Sequence, residues 1–346
     1  MLFRSIRLSA LFSSVCAILG LILPMLLIVT LLAIWIYLGN PMQIHLTSSS
    51  MLPKWSSIES WFALTAFMSG FLGMELAAVH INEVNKPKST FPKALAISTI
   101  VIVFTMTLGS LSIAYVLPNA QINLVNGAIQ TISYFLRAYH LDYLTPVLAS
   151  LLVIGSLGGT MSWIVSPARG MHQAAKENLL PAFFAHTNKH GMPSNVLIAQ
   201  AILVSLFCIA FLLLPSVNGS YWFLSALSTQ LYMIMYVIMF IAAIRLKSRL
   251  TYKNDAFVIP GKRIGHLLTC LLGLVGCTIT LIVGFIPPTN INIGSAWYYE
   301  MLFCISIVIM ILPVLGLYYY QQFAKKKTPA TSATNTADML TESSAS

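Results

Sequence analysis

The stretch Trp61-Phe62-Ala63-Leu64-Thr65-Ala66-Phe67-Met68-Ser69-Gly70-Phe71-Leu72-Gly73-Met74-Glu75-Leu76-Ala77-Ala78-Val79-His80 decides how the rest of the chain is read. It is long and apolar enough to cross a bilayer, which takes about 20 residues, yet it carries a carboxylate at Glu75. An acid at the centre of a helix in hydrocarbon costs roughly 2.5–3.5 kcal/mol, so such a residue faces a bundle interior or a watered cavity. Gly70 and Gly73 stand just before it and allow the helix to break there. A broken helix with one ionisable group is the pattern of a transporter site. The plainer alternative is a kinked helix with an acid near its aqueous end.

Working outward, the whole chain has the same character. It is 58% hydrophobic and 8% charged, with mean hydropathy +0.83, more apolar than a soluble domain of this size requires. Apolar runs of bilayer length recur near Leu11–Leu38, Ile58–Asn82, Ala94–Leu117, Leu144–Val165, Val196–Leu214, Trp222–Ile244, Ile264–Ile286 and Tyr298–Tyr320. The expected fold class is therefore all-α, a polytopic membrane bundle of about eight transmembrane helices. One transmembrane domain covers residues 1–327, and a Ser-, Thr- and Ala-rich tail, 328–346, is expected to be disordered. Pro24 should kink the first helix and Pro313 the last. The first run follows Arg4 and Arg7 like a signal peptide, but it is too long and no small-x-small cleavage site closes it, so it reads as a retained span.

The formal net charge of +10 reports topology. With eight spans both termini share a side, and that side holds all of the 19 Lys and Arg except Lys54 and Arg137. The positive-inside rule then makes both termini cytoplasmic, in a multi-pass protein of a cell membrane, with a bacterial inner membrane the expected home. The same charges attract anionic lipid and make membrane lipid a partner; no nucleic-acid role follows.

Chemistry-bearing clusters other than Glu75 are few. Cys16, Cys208, Cys270, Cys277 and Cys304 lie in apolar segments without a Cys-x-x-Cys pair, and Cys270 and Cys277 at seven-residue spacing read as packing. His186 and His190 precede Gly191 and Pro193 and read as a solvated loop. No metal or cofactor is implied, no ATP-binding Gly-x4-Gly-Lys-Ser/Thr motif is present, and the clustered His, Asp or Cys of a membrane-embedded enzyme is missing from the spans. Within Asn119–Tyr139, Leu124, Ala128, Ile132, Phe135 and Leu136 share one face and predict an amphipathic helix on the outer mouth. Pro167–Leu180 should continue the fourth span as a cytoplasmic helix, ended by Pro181.

Motifs in order along the chain bear a family resemblance. They are Gly70–Pro87 with Thr90-Phe91-Pro92-Lys93-Ala94, then Ser162-Trp163-Ile164-Val165-Ser166-Pro167-Ala168-Arg169-Gly170-Met171 with Lys176-Glu177-Asn178-Leu179-Leu180-Pro181. Asn188-Lys189-His190-Gly191-Met192-Pro193 and Phe257-Val258-Ile259-Pro260-Gly261 follow. From about Arg4 to about Tyr320 the chain resembles the amino acid–polyamine–organocation transporters, nearest the bacterial glutamate/γ-aminobutyrate antiporter branch. The resemblance implies a partial LeuT-type inverted-repeat fold. By motif order the chain matches the family's fifth to twelfth spans, and the first four have no counterpart. It implies a truncated chain, or one completed by a separately encoded N-terminal half or by homo-oligomerisation.

The resemblance also implies site residues. Glu75 matches the acid of the family's broken helix, which takes part in proton-sensitive gating. Ser69 and Leu72 match positions whose free carbonyls receive a substrate's α-ammonium group. Trp163 matches a pocket aromatic, and Tyr232 and Tyr236, four apart and so on one face, resemble gate aromatics. Each has a plainer reading: Trp163 as an interfacial anchor, the two tyrosines as packing. No Lys or Arg lies mid-span, which fits a zwitterionic amino acid, or an acidic one with its side chain protonated. The implied activity is amino acid antiport of the glutamate/γ-aminobutyrate type, not catalysis; the alternative is a truncated non-transporting remnant or accessory membrane protein.

Overall fold

A chain in lipid has to satisfy its own backbone hydrogen bonds, and all regular structure among the described residues is helical. The computed structural model describes residues 6–44, 52, 54, 56–118, 122–123, 125–209, 214, 216–247, 259–286 and 295–327. The α-helices are α1 (Ile6–Ala17), α2 (Leu23–Tyr37), α3 (Ile58–Ser69), α4 (Pro87–Val116), α5 (Gly127–Ala138), α6 (Thr145–Lys176), α7 (Ser194–Phe207), α8 (Val217–Lys247), α9 (Lys262–Val283) and α10 (Ala296–Lys327). Among the described residues, seven helical stretches are long and apolar enough to cross a bilayer; one joins α1 to α2 and another joins α3 to the segment after it.

These seven coincide with seven of the expected runs. The exception is Val196–Leu214, where α7 has 14 residues. At 1.5 Å per residue that is about 21 Å, short of the ~30 Å hydrocarbon core. Residues 210–213 lie outside the described residues, as do Leu124, the tail 328–346 and the side chains of His80 and Glu83.

The proline expectations resolve differently at the two ends. Between α1 and α2 a π turn, Ile18–Ile22, widens the helix, with the Leu23 N–H donating to the Ile18 carbonyl. Pro24 follows and has no N–H to give the preceding turn, so the looser turn absorbs its missing bond. α10 instead runs without interruption through Pro313.

Three apolar clusters hold the bundle. Trp35 of α2 centres the first; its ring lies 5.6 Å from Phe135 at 70° and its Nε1 donates to the Pro41 carbonyl at 3.1 Å. α5 belongs to this cluster: Ile132, Phe135 and Leu136 are buried against α2, α4 and α6, while Ala128 is exposed. The expected amphipathic helix is thus present, but its apolar face is spent on the protein core. The second cluster joins Phe223 and Leu227 of α8 to Tyr299, Phe303 and Ile307 of α10. The third seats Met192, Val196 and Leu197 under Ala168, near the C-terminal end of α6.

Candidate functional site at the helix break

Helix α3 stops at Ser69, and the chain turns through Gly70–Gly73 before a 3-10 segment, Met74–Glu83. Gly73 has φ +88°, a left-handed conformation that a Cβ disfavours. The same glycine lies under the indole of Trp163, and a Cβ built there would sit 2.6 Å from the ring. Glycine is therefore required at this position both by backbone conformation and by space.

The break leaves an uneven set of backbone acceptors. The Ser69 carbonyl accepts the Leu72 N–H at 3.2 Å, so it is not free as expected. Its hydroxyl turns back to donate to the Ala66 carbonyl at 2.6 Å. The Leu72 carbonyl takes no backbone hydrogen bond among the described residues. Across the gap, Pro167 of α6 has no N–H to offer the Trp163 carbonyl four residues earlier. Leu72 and Trp163, each with a carbonyl that lacks a helical partner, both line the same cavity.

Tyr236 of α8 ties the turn together. Its hydroxyl accepts the Gly73 N–H at 3.2 Å and donates to Glu75 Oε2 at 2.5 Å. The other carboxyl oxygen, Oε1, is buried and has no partner among the described residues. Tyr232, one turn before Tyr236, packs on it with ring centroids 5.9 Å apart. Trp163 meets Tyr232 edge-on, also at 5.9 Å and at 86°.

A cavity of about 340 Å³ opens beside the turn, lined by Leu72, Gly73, Ile102, Ser162, Trp163 and Ser166 among others. Ser13 of α1 donates to the Gly158 carbonyl at 3.0 Å, so the 2.5 Å contact between the Ser13 and Ser162 hydroxyls has Ser162 as donor. The cavity walls offer hydroxyls, backbone acceptors and an indole face, a set suited to a small ammonium-bearing molecule.

Of the residues expected from the sequence, Leu72, Glu75, Trp163, Tyr232 and Tyr236 converge on the Gly73 turn. Ser69 lies four residues before Gly73, with its hydroxyl bonded back into α3 and its carbonyl bonded to Leu72 of the turn. Sequence reading missed Ser162 and Ser166, whose four-residue spacing around Trp163 puts them on one face of α6, and it missed the effect of Pro167 on the Trp163 carbonyl.

Against known proteins, the sequence profile of the amino acid permease family matches residues 1–332, and the chain belongs to that family. It is 36% identical over 294 residues to an uncharacterized transporter of Legionella pneumophila, covering 85% of this chain and 63% of that protein. It is 30% identical over 301 residues to a glutamate/gamma-aminobutyrate antiporter of Lactococcus lactis subsp. lactis, covering 86% of this chain and 60% of the relative. An arginine/ornithine antiporter of Lactococcus lactis subsp. cremoris matches at 27% over 169 residues, covering 49% of this chain and 32% of that protein. The chain thus spans about three-fifths of the length of the first two, and the relatives named are transporters, not enzymes.

Proposed function

We propose that the chain works in amino acid antiport of the glutamate/γ-aminobutyrate type, with the broken helix as its substrate and gating site. The observation that carries this reading is the Glu75 carboxyl, held at the break by Tyr236 while its second oxygen stays buried without a partner among the described residues. A buried acceptor left open is costly unless another group fills it, and a substrate ammonium group or a proton would do so. The Leu72 and Trp163 carbonyls would take part in receiving the ammonium group, with the Trp163 indole as the pocket wall and Tyr232 and Tyr236 as the gate. Ser69 would act through the geometry of the turn, since its carbonyl is already bonded. The charge asymmetry of the loops supports cytoplasmic termini in a bacterial inner membrane.

The site is completed, on this reading, by further membrane helices, from a separate N-terminal half or a second copy of the chain. No described residue from 60 to 79 is buried, and irregular backbone at membrane depth needs protein or a watered cavity around it. The same exposure favours a second reading, a non-transporting accessory protein. Counterflow separates them. The purified chain is placed in liposomes loaded with γ-aminobutyrate, alone or with the part of the Lactococcus antiporter that it does not match, and labelled glutamate is added outside. Saturable uptake only with both polypeptides is expected. Uptake by the chain alone would remove the need for added helices, and none under either condition would sink the antiport reading.

A further inference from the structure

The two tyrosines of the site ride on α8, and that helix is keyed into α9. Gln230 is fully buried, and its Nε2 donates to the Thr280 carbonyl of α9 at 3.0 Å. A Cβ built on Gly284 would lie 1.6 Å from that nitrogen, so the amide occupies the space of a missing side chain. Ten residues further along α8 the pattern repeats in the antiparallel sense: a Cβ on Gly273 would fall 2.3 Å from the Phe240 ring. Gly273, Cys277, Thr280 and Gly284 follow a 4-3-4 spacing and form one narrow stripe of small residues, along which helices approach closely. Cys277 within it is 2% exposed, and Met233, between the two keys on α8, is 1% exposed.

Tyr236 stands six residues after Gln230, which at 3.6 residues per turn places it on a different face of α8. Rotation of α8 in its seam would therefore swing the Tyr236 hydroxyl off Gly73 and Glu75. α9 also abuts the other half of the site, since a Cβ on Gly276 would lie 3.3 Å from Met68, near the end of α3. Within the amide, Oε1 is buried without a partner among the described residues. An apolar side chain would fill the seam without that desolvation. What the amide adds is direction, a bond to one particular carbonyl of the neighbouring helix.

We propose that Gln230 is a positioning residue of the site: seated on Gly284 and bonded to Thr280, it sets the rotation of α8 so that Tyr236 reaches the broken helix. The inference rests on the functional reading only for its consequence in transport; the geometry can be tested without transport. The reporter is a cysteine at Leu72 in the cavity, alkylated by a small maleimide in native membranes, in a chain whose only other cysteine is Cys277. Gln230→Met keeps length and volume and removes the donor; Gln230→Leu serves if the yield of the first falls. The alkylation rate at position 72 should rise about tenfold in Gln230→Met and in Tyr236→Phe, and the double variant should be no faster than Tyr236→Phe alone, as expected of residues acting in series. Cys277 should stay slow throughout, showing that the seam remains packed. An unchanged rate, effects that multiply, or a Cys277 that reacts together with position 72 would each overturn the proposal. In exchange assays Gln230→Met should alter the pH profile as Tyr236→Phe does. An absence of exchange both alone and with the added helices ends the functional reading and leaves the thiol result standing.

Discussion

Helix α6 has two successive stretches of different character. Towards α1 and the π turn it is a surface of small residues. A Cβ on Gly155 would meet the Gly20 backbone at 2.5 Å, one on Gly158 would meet Cys16 at 2.2 Å, and Cys16 and Gly20 are buried. Towards the helix break it carries Ser162, Trp163 and Ser166 around a cavity, and Trp163 is 45% exposed. The first stretch satisfies itself within the chain by backbone-to-backbone packing. The second borders a cavity with Trp163 and Ser166, while its Ser162 hydroxyl is bonded back to Ser13 of α1. Substitutions in the two stretches should fail in different ways.

The largest effect is expected in the packed stretch. Gly155→Leu drives a side chain into the Gly20 backbone, which no rotamer change can relieve; overpacking costs about 1–3 kcal/mol or more. The yield of monodisperse protein from detergent-extracted membranes should fall about tenfold, and a normal yield would show that the α1–α6 crossing is looser than described. Gly73→Ala is the counterpart at the break. The left-handed conformation costs a Cβ roughly 1–2 kcal/mol, and the Trp163 ring must also move. Because the break contributes little burial, yield should hold within about twofold while exchange in liposomes drops about tenfold. Equal losses of yield and exchange would erase the distinction between packed crossing and helix break. The smallest effect belongs to a lipid-facing control. Ile100 of α4 is 67% exposed, and Ile100→Ala should change yield and exchange by no more than about 0.5 kcal/mol equivalent; a larger change would mean that a partner covers that face.

The bundle was legible because lipid imposes a simple rule, apolar runs of bilayer length. In the run Val196–Leu214 the described helix α7 reaches Phe207, and residues 210–213 lie outside the described residues. The amphipathic period of α5 was visible, but periodicity cannot say whether an apolar stripe faces lipid or Trp35. At the site, Gly70, Gly73 and Glu75 announced the break, since a left-handed turn needs glycine and an acid in an apolar run needs a reason. The pairing of Tyr236 with Glu75 and Gly73 joins residues more than 160 positions apart, which no local pattern encodes. The Gln230 key was hidden for the same reason: a glutamine inside an apolar run becomes informative only when Gly284 is found beneath it.

The central proposal is that Glu75, held by Tyr236 at the break, would be the proton-sensitive element of an amino acid antiporter. Glu75→Gln tests it most directly, because the amide keeps the shape and can still accept from Tyr236, yet does not titrate. The measurement is the rate of glutamate/γ-aminobutyrate exchange between about pH 4.5 and 7.5 in liposomes holding the complete assembly. The account predicts a pH-dependent rate for the native chain and a nearly flat one for Glu75→Gln, with some exchange retained. A variant that keeps the native pH profile would contradict it and reduce Glu75 to a structural acid at a kinked helix.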